Sequence, residues 1–239
     1  MFARALTLTS LILLLAIEPA LASSPKPDPR ASGVRPQERL GLLMDRVRIE
    51  QEQLAGLRAN FVQRKESQLL AEPQTASGVL SFRKPDMVRW EYLEPDPMLI
   101  VISGETMVTW FQDLKRAERM QIGRYSEQVF RFMGATAALD TLSEYFRVEA
   151  SFPGDAKAPY RLELTPRYSR IAKKLESMSI WIDAQTFLPV RLSYHEADGD
   201  LTEYELKDLE RDPELADELF DLTLPADVVV REVDLGAKK

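Results

Sequence analysis

Reactive side chains are scarce in this chain. It has no cysteine and one histidine, His195. Disulfides, thiolate metal sites and cysteine nucleophiles are therefore excluded. A Ser-His-Asp triad or a histidine-based metal site would have to be built around His195 alone. That residue falls at the polar end of an alternating stretch, beside Glu196 and close to the Asp198-Gly199 turn signal, and reads as a surface histidine. Asp208, Glu210 and Asp212 flank Arg211 and read as a solvated edge. The sequence contains no G-x-S-x-G elbow, phosphate-binding loop or metal-ligand spacing, and no carboxylate pair stands out as acid and base. The expectation is a binding protein rather than an enzyme, with no catalytic residue, no metal and no cofactor. A formal net charge of -7 argues against nucleic acid as a partner, because phosphate recognition uses a basic surface.

What the chain has in quantity is large apolar side chains at strand period. Leu80 and Phe82 share one strand face with Lys84, and Val88, Trp90 and Tyr92 share another. Tyr160, Leu162 and Leu164 alternate with Arg161 and Glu163; Tyr204 and Leu206 alternate with Glu203, Glu205 and Lys207. Met178, Ile180 and Ile182, then Leu188, Val190, Leu192 and Tyr194, continue the series. One side of the resulting sheet is apolar and the other wet. Such a face can be a filled core, or the wall of a ligand cavity enclosed by a curled sheet. Methionines and tryptophans (Met87, Trp90, Met98, Met107, Trp110, Met120, Met133, Met178, Trp181) add adaptable bulk suited to an apolar pocket. The candidate cavity residues are Leu80, Phe82, Val88, Trp90, Tyr92, Met98, Ile100, Trp110, Met178, Ile180 and Leu192.

The elements that must position them are mainly β. Residues 1–22 read as a cleavable export signal: Arg4, an apolar run from Leu11 to Ile17, then Ala20-Leu21-Ala22. The run is shorter than the ~20 residues that span a bilayer. Residues 23–36, rich in Pro, Ser and charge, read as a flexible linker, and 37–239 as one domain. Leu40, Leu43, Val47 and Leu54 recur at helical spacing up to about Gly56. Strands are predicted at 79–82, 88–92, 98–102, 107–111, 115–122, 146–152, 160–165, 175–182, 187–194, 201–209 and 228–233. Ser103-Gly104-Glu105 and Asp198-Gly199-Asp200 read as hairpin turns. Residues 125–142 break the pattern and read as short amphipathic helices hinged at Gly134. The crossover segments that parallel pairing requires are missing, so the expectation is an antiparallel meander closing into a barrel or half-barrel.

An ordered set of short motifs runs through this framework. It comprises Phe61-x-Gln63, Gly78-x-Leu80-x-Phe82-Arg83-Lys84-Pro85, Arg89-Trp90-x-Tyr92, Pro95, Ser103-Gly104 and Trp110-Phe111. Phe132-x-Gly134, Leu164-Thr165-Pro166, Asp198-Gly199 and the stretch Phe220 to Pro225 follow in order. The set resembles the periplasmic lipoprotein carrier family, LolA, over nearly the whole chain after Leu40. The resemblance implies an α+β fold: an incomplete antiparallel β-barrel, with an N-terminal helix and a helical lid over an apolar cavity. It implies a periplasmic protein, expected as a monomer, that shields the acyl chains of lipoproteins between an inner-membrane transporter and an outer-membrane receptor. A sensor or assembly factor for another envelope lipid would need the same cavity, and that alternative stays open. The receptor of this superfamily is lipidated on a cysteine, which this chain lacks. The family's gating arginine before the proline corresponds to Lys84. With Phe130, Phe132, Met133 and Gly134 it forms the implied lid and gate, the Lys84 amine facing lid carbonyls around Gly134.

Overall fold

The computed structural model describes residues 28–123 and 139–233. The residues read as an export signal, the first part of the segment read as a linker, and the expected lid residues Phe130, Phe132, Met133 and Gly134 lie outside the described residues.

Helix α1 (Pro36–Gln53) starts on a proline, whose fixed φ suits a first turn and whose missing N–H is no loss there. Leu40, Leu43, Met44 and Val47 make one apolar stripe, while Arg48–Glu52 and Arg46–Glu50 pair along the polar side. The strands that follow are β1 (Gly56–Glu66), β2 (Gln74–Arg83), β3 (Met87–Glu94), β4 (Met98–Ser103), β5 (Thr106–Phe111) and β6 (Arg116–Gln121). The second half has α2 (Leu139–Tyr145), β7 (Phe146–Ser151), β8 (Tyr160–Pro166), α3 (Ser169–Ala172), β9 (Leu175–Ile182), β10 (Pro189–Glu196), β11 (Leu201–Arg211), a 3-10 turn (Asp217–Phe220) and β12 (Val229–Val233).

All twelve strands join one sheet, in the order β12-β6-β5-β4-β3-β2-β1-β11-β10-β9-β8-β7. The order does not return on itself, so the described sheet is open rather than a closed barrel. Antiparallel ladders join every neighbouring pair except β12 and β6, which run parallel. This corrects the all-antiparallel expectation. A crossover does exist, but it is an extended strap, residues 212–228, with the short 3-10 turn over β3 and β4. Having no helical periodicity, it leaves no crossover signature in the sequence.

Two apolar clusters hold the sheet. In one, Leu43 and Val47 of α1 and Leu142 of α2 pack on Phe146, Tyr160, Leu162, Leu164, Met178, Ile180 and Ile182. In the other, Leu54, Leu57, Phe61, Leu80, Phe82, Val88 and Ile102 meet under the β1–β4 half.

The segment read as a flexible linker is docked over its described part. The guanidinium of Arg30 donates to the carbonyls of Asp155 (2.8 Å) and Ala156 (3.0 Å) and lies 4.5 Å from the centre of the Tyr160 ring. The Tyr160 hydroxyl donates to Asp28 Oδ1 at 2.9 Å. Composition predicts flexibility, and it is overridden here by these long-range hydrogen bonds.

Candidate functional site

Strand register decides which side chains share the apolar inner face. Val88, Trp90 and Tyr92 of β3 stand opposite Ile102, Ile100 and Met98 of β4. The Gly104-Glu105 turn, with Gly104 at φ +58, pairs Ser103 with Thr106. That fixes Ile102 against Met107, Ile100 against Thr109 and Met98 against Phe111. Met120 then faces Met107 across β5 and β6. Leu80 and Phe82 stand opposite Trp90 and Val88 on β2, and Leu192 stands opposite both Ile180 and Tyr204.

The same register corrects three side chains. Trp110 stands opposite Leu99 and Ala117 on the outer face. The sequence does not separate it from Met98 and Ile100, because the run Met98 to Ile102 has no polar alternation to reveal its faces. Trp181 is outside as well, between the guanidinium groups of Arg191 and Arg161, 4.5 and 5.2 Å from its ring centre. Met87 lines an outer pocket instead.

The remaining candidates differ in burial. Leu80, Phe82, Val88, Met178 and Ile180 are buried in the packed clusters, the last two beneath α1. Trp90, Tyr92, Met98, Ile100 and Leu192 are only half-buried. Around Trp90 and Tyr92 lies an aromatic cluster that the sequence reading did not assemble. The Phe61 ring makes edge contacts with Trp90 (5.4 Å) and Tyr92 (4.9 Å), and Trp90 makes one with Tyr204 (5.4 Å). The Tyr92 and Tyr204 hydroxyls are 3.4 Å apart. Burial raises the pKa of both phenols, so both stay neutral at any ordinary pH. The Nε1–H of Trp90 is buried without an acceptor among the described residues. Tyr204 was legible only as an alternating residue, because the pairing of β1 with β11 that brings it to Phe61 spans most of the chain.

Lys84 takes different partners from those expected. It is exposed, and its amine donates to the carbonyls of Gln51 (2.7 Å) and Glu52 (2.9 Å) in the last turn of α1. Those carbonyls have no partner within the helix, and they carry the negative end of its dipole. The last turn of α1 has no basic residue of its own. Lys84 therefore acts as a C-cap supplied from the β2–β3 turn.

The outer face of β3–β6 is covered by the strap. Arg83 donates to the Leu215 carbonyl (2.6 Å) and pairs with Asp217, and it lies 5.1 Å from the Phe220 ring centre. Arg89 donates to the Leu219 carbonyl at 3.2 Å. Beneath them lies a pocket of about 330 Å³ lined by Met87, Val101, Val108, Arg119 and Phe220 among others. Among the described residues there is no cluster of His, Asp or Glu that could hold a metal. No helix among them is long and apolar enough to cross a membrane.

Residues 52–223 match the family model described as outer membrane lipoprotein carrier protein LolA. The chain belongs to the LolA family. The match runs from the end of α1 into the strap and takes in strands β1 to β11. Similar curated proteins are the outer-membrane lipoprotein carrier proteins of Alkalilimnicola ehrlichii and Nitrosospira multiformis. The first is 29% identical over 182 residues, covering 74% of this chain and 78% of the relative. The second is 27% identical over 176 residues, covering 73% and 81%. Among solved structures, an uncharacterized conserved protein from Thermus thermophilus shares the fold at a TM-score of 0.53 and 14% identity. It covers 81% of this chain and 99% of its own. The mainly β, incompletely closed architecture expected from the LolA likeness is present, as an open sheet with few helices.

Proposed function

We propose that this LolA-family chain is a periplasmic carrier. It would shelter lipoprotein acyl chains against the inner face of its sheet and ferry them from an inner-membrane transporter to an outer-membrane receptor. The observation that carries this reading is the half-buried state of Trp90, Tyr92, Met98, Ile100, Met107 and Met120, large apolar residues on one continuous face. A row of large apolar residues left half-covered on one face offers room for an apolar guest, and flexible methionines suit cargo of variable shape. An ester carbonyl entering with an acyl chain would also satisfy the unpartnered Nε1–H of Trp90. Helix α1 then acts as part of the cover, and Lys84 as the latch on its C-terminus.

Native mass spectrometry of protein purified from the periplasm tests the reading. Co-purified acylated species are expected, and a Trp90→Ala, Met107→Glu variant should lose them while remaining folded. Purification free of any lipid, together with no uptake of a fluorescent fatty acid, would rule the carrier role out.

A further inference from the structure

Neighbouring strands from β1 to β6 are antiparallel, so the β1–β2, β3–β4 and β5–β6 connections lie at one end of the sheet. The β8–β9 and β10–β11 connections, the α2–β7 junction and the start of β12 lie at that same end. The Lys84 turn is at the other end.

Every large apolar side chain that the described residues leave exposed is found at this first end. Leu69, Leu93 and Leu114, at or beside three hairpin tips, are 95%, 52% and 66% exposed. Tyr145 and Tyr168 form an exposed edge-to-face pair 6.3 Å apart. Val229 and Val230 open β12. Among the described residues the opposite end, with the β2–β3, β4–β5, β7–β8 and β9–β10 connections, has none.

Charge marks the same end. The β8–β9 connection, residues 167–174, reads RYSRIAKK, with four cations and no carboxylate in a chain of net charge -7. Arg170, Lys173 and Lys174 are exposed and make no ion pair with any described carboxylate. By contrast, Lys65, Lys115 and Arg116 at the same end are paired with Asp200, Asp227 and Glu118. Exposed Glu94, Asp96 and Asp113 sit on the β3–β6 flank; on the β7–β9 side exposed Glu144 and Glu176 face the four cations of the loop, which leaves that flank net cationic.

We propose that this rim docks the protein on anionic phospholipid headgroups, with the β8–β9 loop leading. The three leucines stand on separate hairpin tips, apart from the Tyr145–Tyr168 pair, so they offer little continuous surface to a rigid protein partner. A fluid interfacial layer accommodates such tips. Tyrosines favour the headgroup level, and unpaired lysines and arginines are drawn to anionic lipid. The inference rests on the rim alone and is independent of what the inner face holds.

The test is co-sedimentation of the whole mature protein with vesicles of phosphatidylethanolamine containing phosphatidylglycerol, and with phosphatidylcholine vesicles. Binding to the anionic vesicles that weakens with salt is expected. Each neutralised cation should weaken it about fivefold, so Arg170→Gln, Lys173→Gln, Lys174→Gln together should do so about a hundredfold. Leu69→Ser with Leu114→Ser should weaken binding to both vesicle types. All five positions are exposed, so melting and fatty-acid uptake should not change. Absent binding to anionic vesicles at low salt, or binding unaffected by the triple substitution, overturns the proposal. Loss of cross-linking to a membrane protein without any vesicle binding would assign the rim to a protein partner and overturn it equally.

Discussion

Substituting Gly78 by alanine should damage the aromatic wall of the inner face. Gly78 lies in β2, with the Phe61 ring over it and a register shift in the β3 ladder beside it. A Cβ built there falls 1.9 Å from the Glu91 carbonyl oxygen and 2.8 Å from Phe61 Cε1. The phenyl ring could turn aside, but the carbonyl belongs to the backbone of β3 and cannot. The β2–β3 pair must part by about 1.5 Å to reach ordinary contact, which strains the packing on both sides. Overpacking of this kind costs about 1–3 kcal/mol, and a weakened ladder hydrogen bond adds about 1 kcal/mol. Alanine's lower unfolded-state entropy returns about 0.5–1 kcal/mol. The net loss, about 2 kcal/mol, corresponds to about 4–8 °C in Tm for a domain of this size. Gly41, in the exposed part of α1 with nothing within 4 Å of its Cβ position, supplies a control of opposite sign. Gly41→Ala should stabilise by about 0.8–1 kcal/mol through helix propensity. Urea and thermal unfolding of both variants measure the difference. A Gly78→Ala protein within about 0.5 kcal/mol of wild type would refute the reasoning, because it would mean that β2 and β3 separate freely at this point.

Lys84→Met should expose the final carbonyls of α1, lowering stability by about 1 kcal/mol and raising hydrogen exchange in the last turn of α1, whereas Lys84→Arg should preserve both; equal exchange in the two variants would remove the latch. Arg83→Met should release the strap, with faster proteolysis between residues 212 and 222 and a loss of about 2 kcal/mol. Burial alone would raise the carboxyl of Asp28, but hydrogen bonds from the Arg30 backbone, the Tyr160 hydroxyl and the Arg30 side chain together hold it below its ordinary 3.8. A lowered folded-state value means that its stabilisation is present above pH 3.8 and fades as pH falls through the folded pKa. Asp28→Asn should therefore flatten the acid limb of the Tm–pH curve and leave N-terminal residues more open to protease; an unchanged acid limb would show the contact to be energetically silent.

How much of this was legible in the sequence depended on the range of each signal. Alternation located the strands because the side-chain period is local, and the Gly104-Glu105 turn was readable as a hairpin. Its register, which decides that Phe111 rather than Trp110 joins the inner face, needed a count from the turn through a run with no polar residues. The neighbourhood of Phe61 and Tyr204 depends on β1 meeting β11, a contact that no window of sequence contains. Lys84 was recognised as a basic residue before a proline, but its acceptors belong to a helix more than thirty residues away. The strap and the docked Asp28–Arg30 segment were missed for one shared reason. Both are irregular chain held by long-range hydrogen bonds, and composition alone marks such segments as loose.

The open order of the sheet has a mechanical consequence. A closed barrel has a girth fixed by its strand number and stagger, and it can widen only by breaking a ladder. The arc from β12 to β7 carries no such constraint among the described residues. Its curvature can relax by small twists spread over eleven interfaces, with every inter-strand hydrogen bond kept. Such a wall behaves as a spring rather than as a rigid cup, and the load placed against it would set how far it bends.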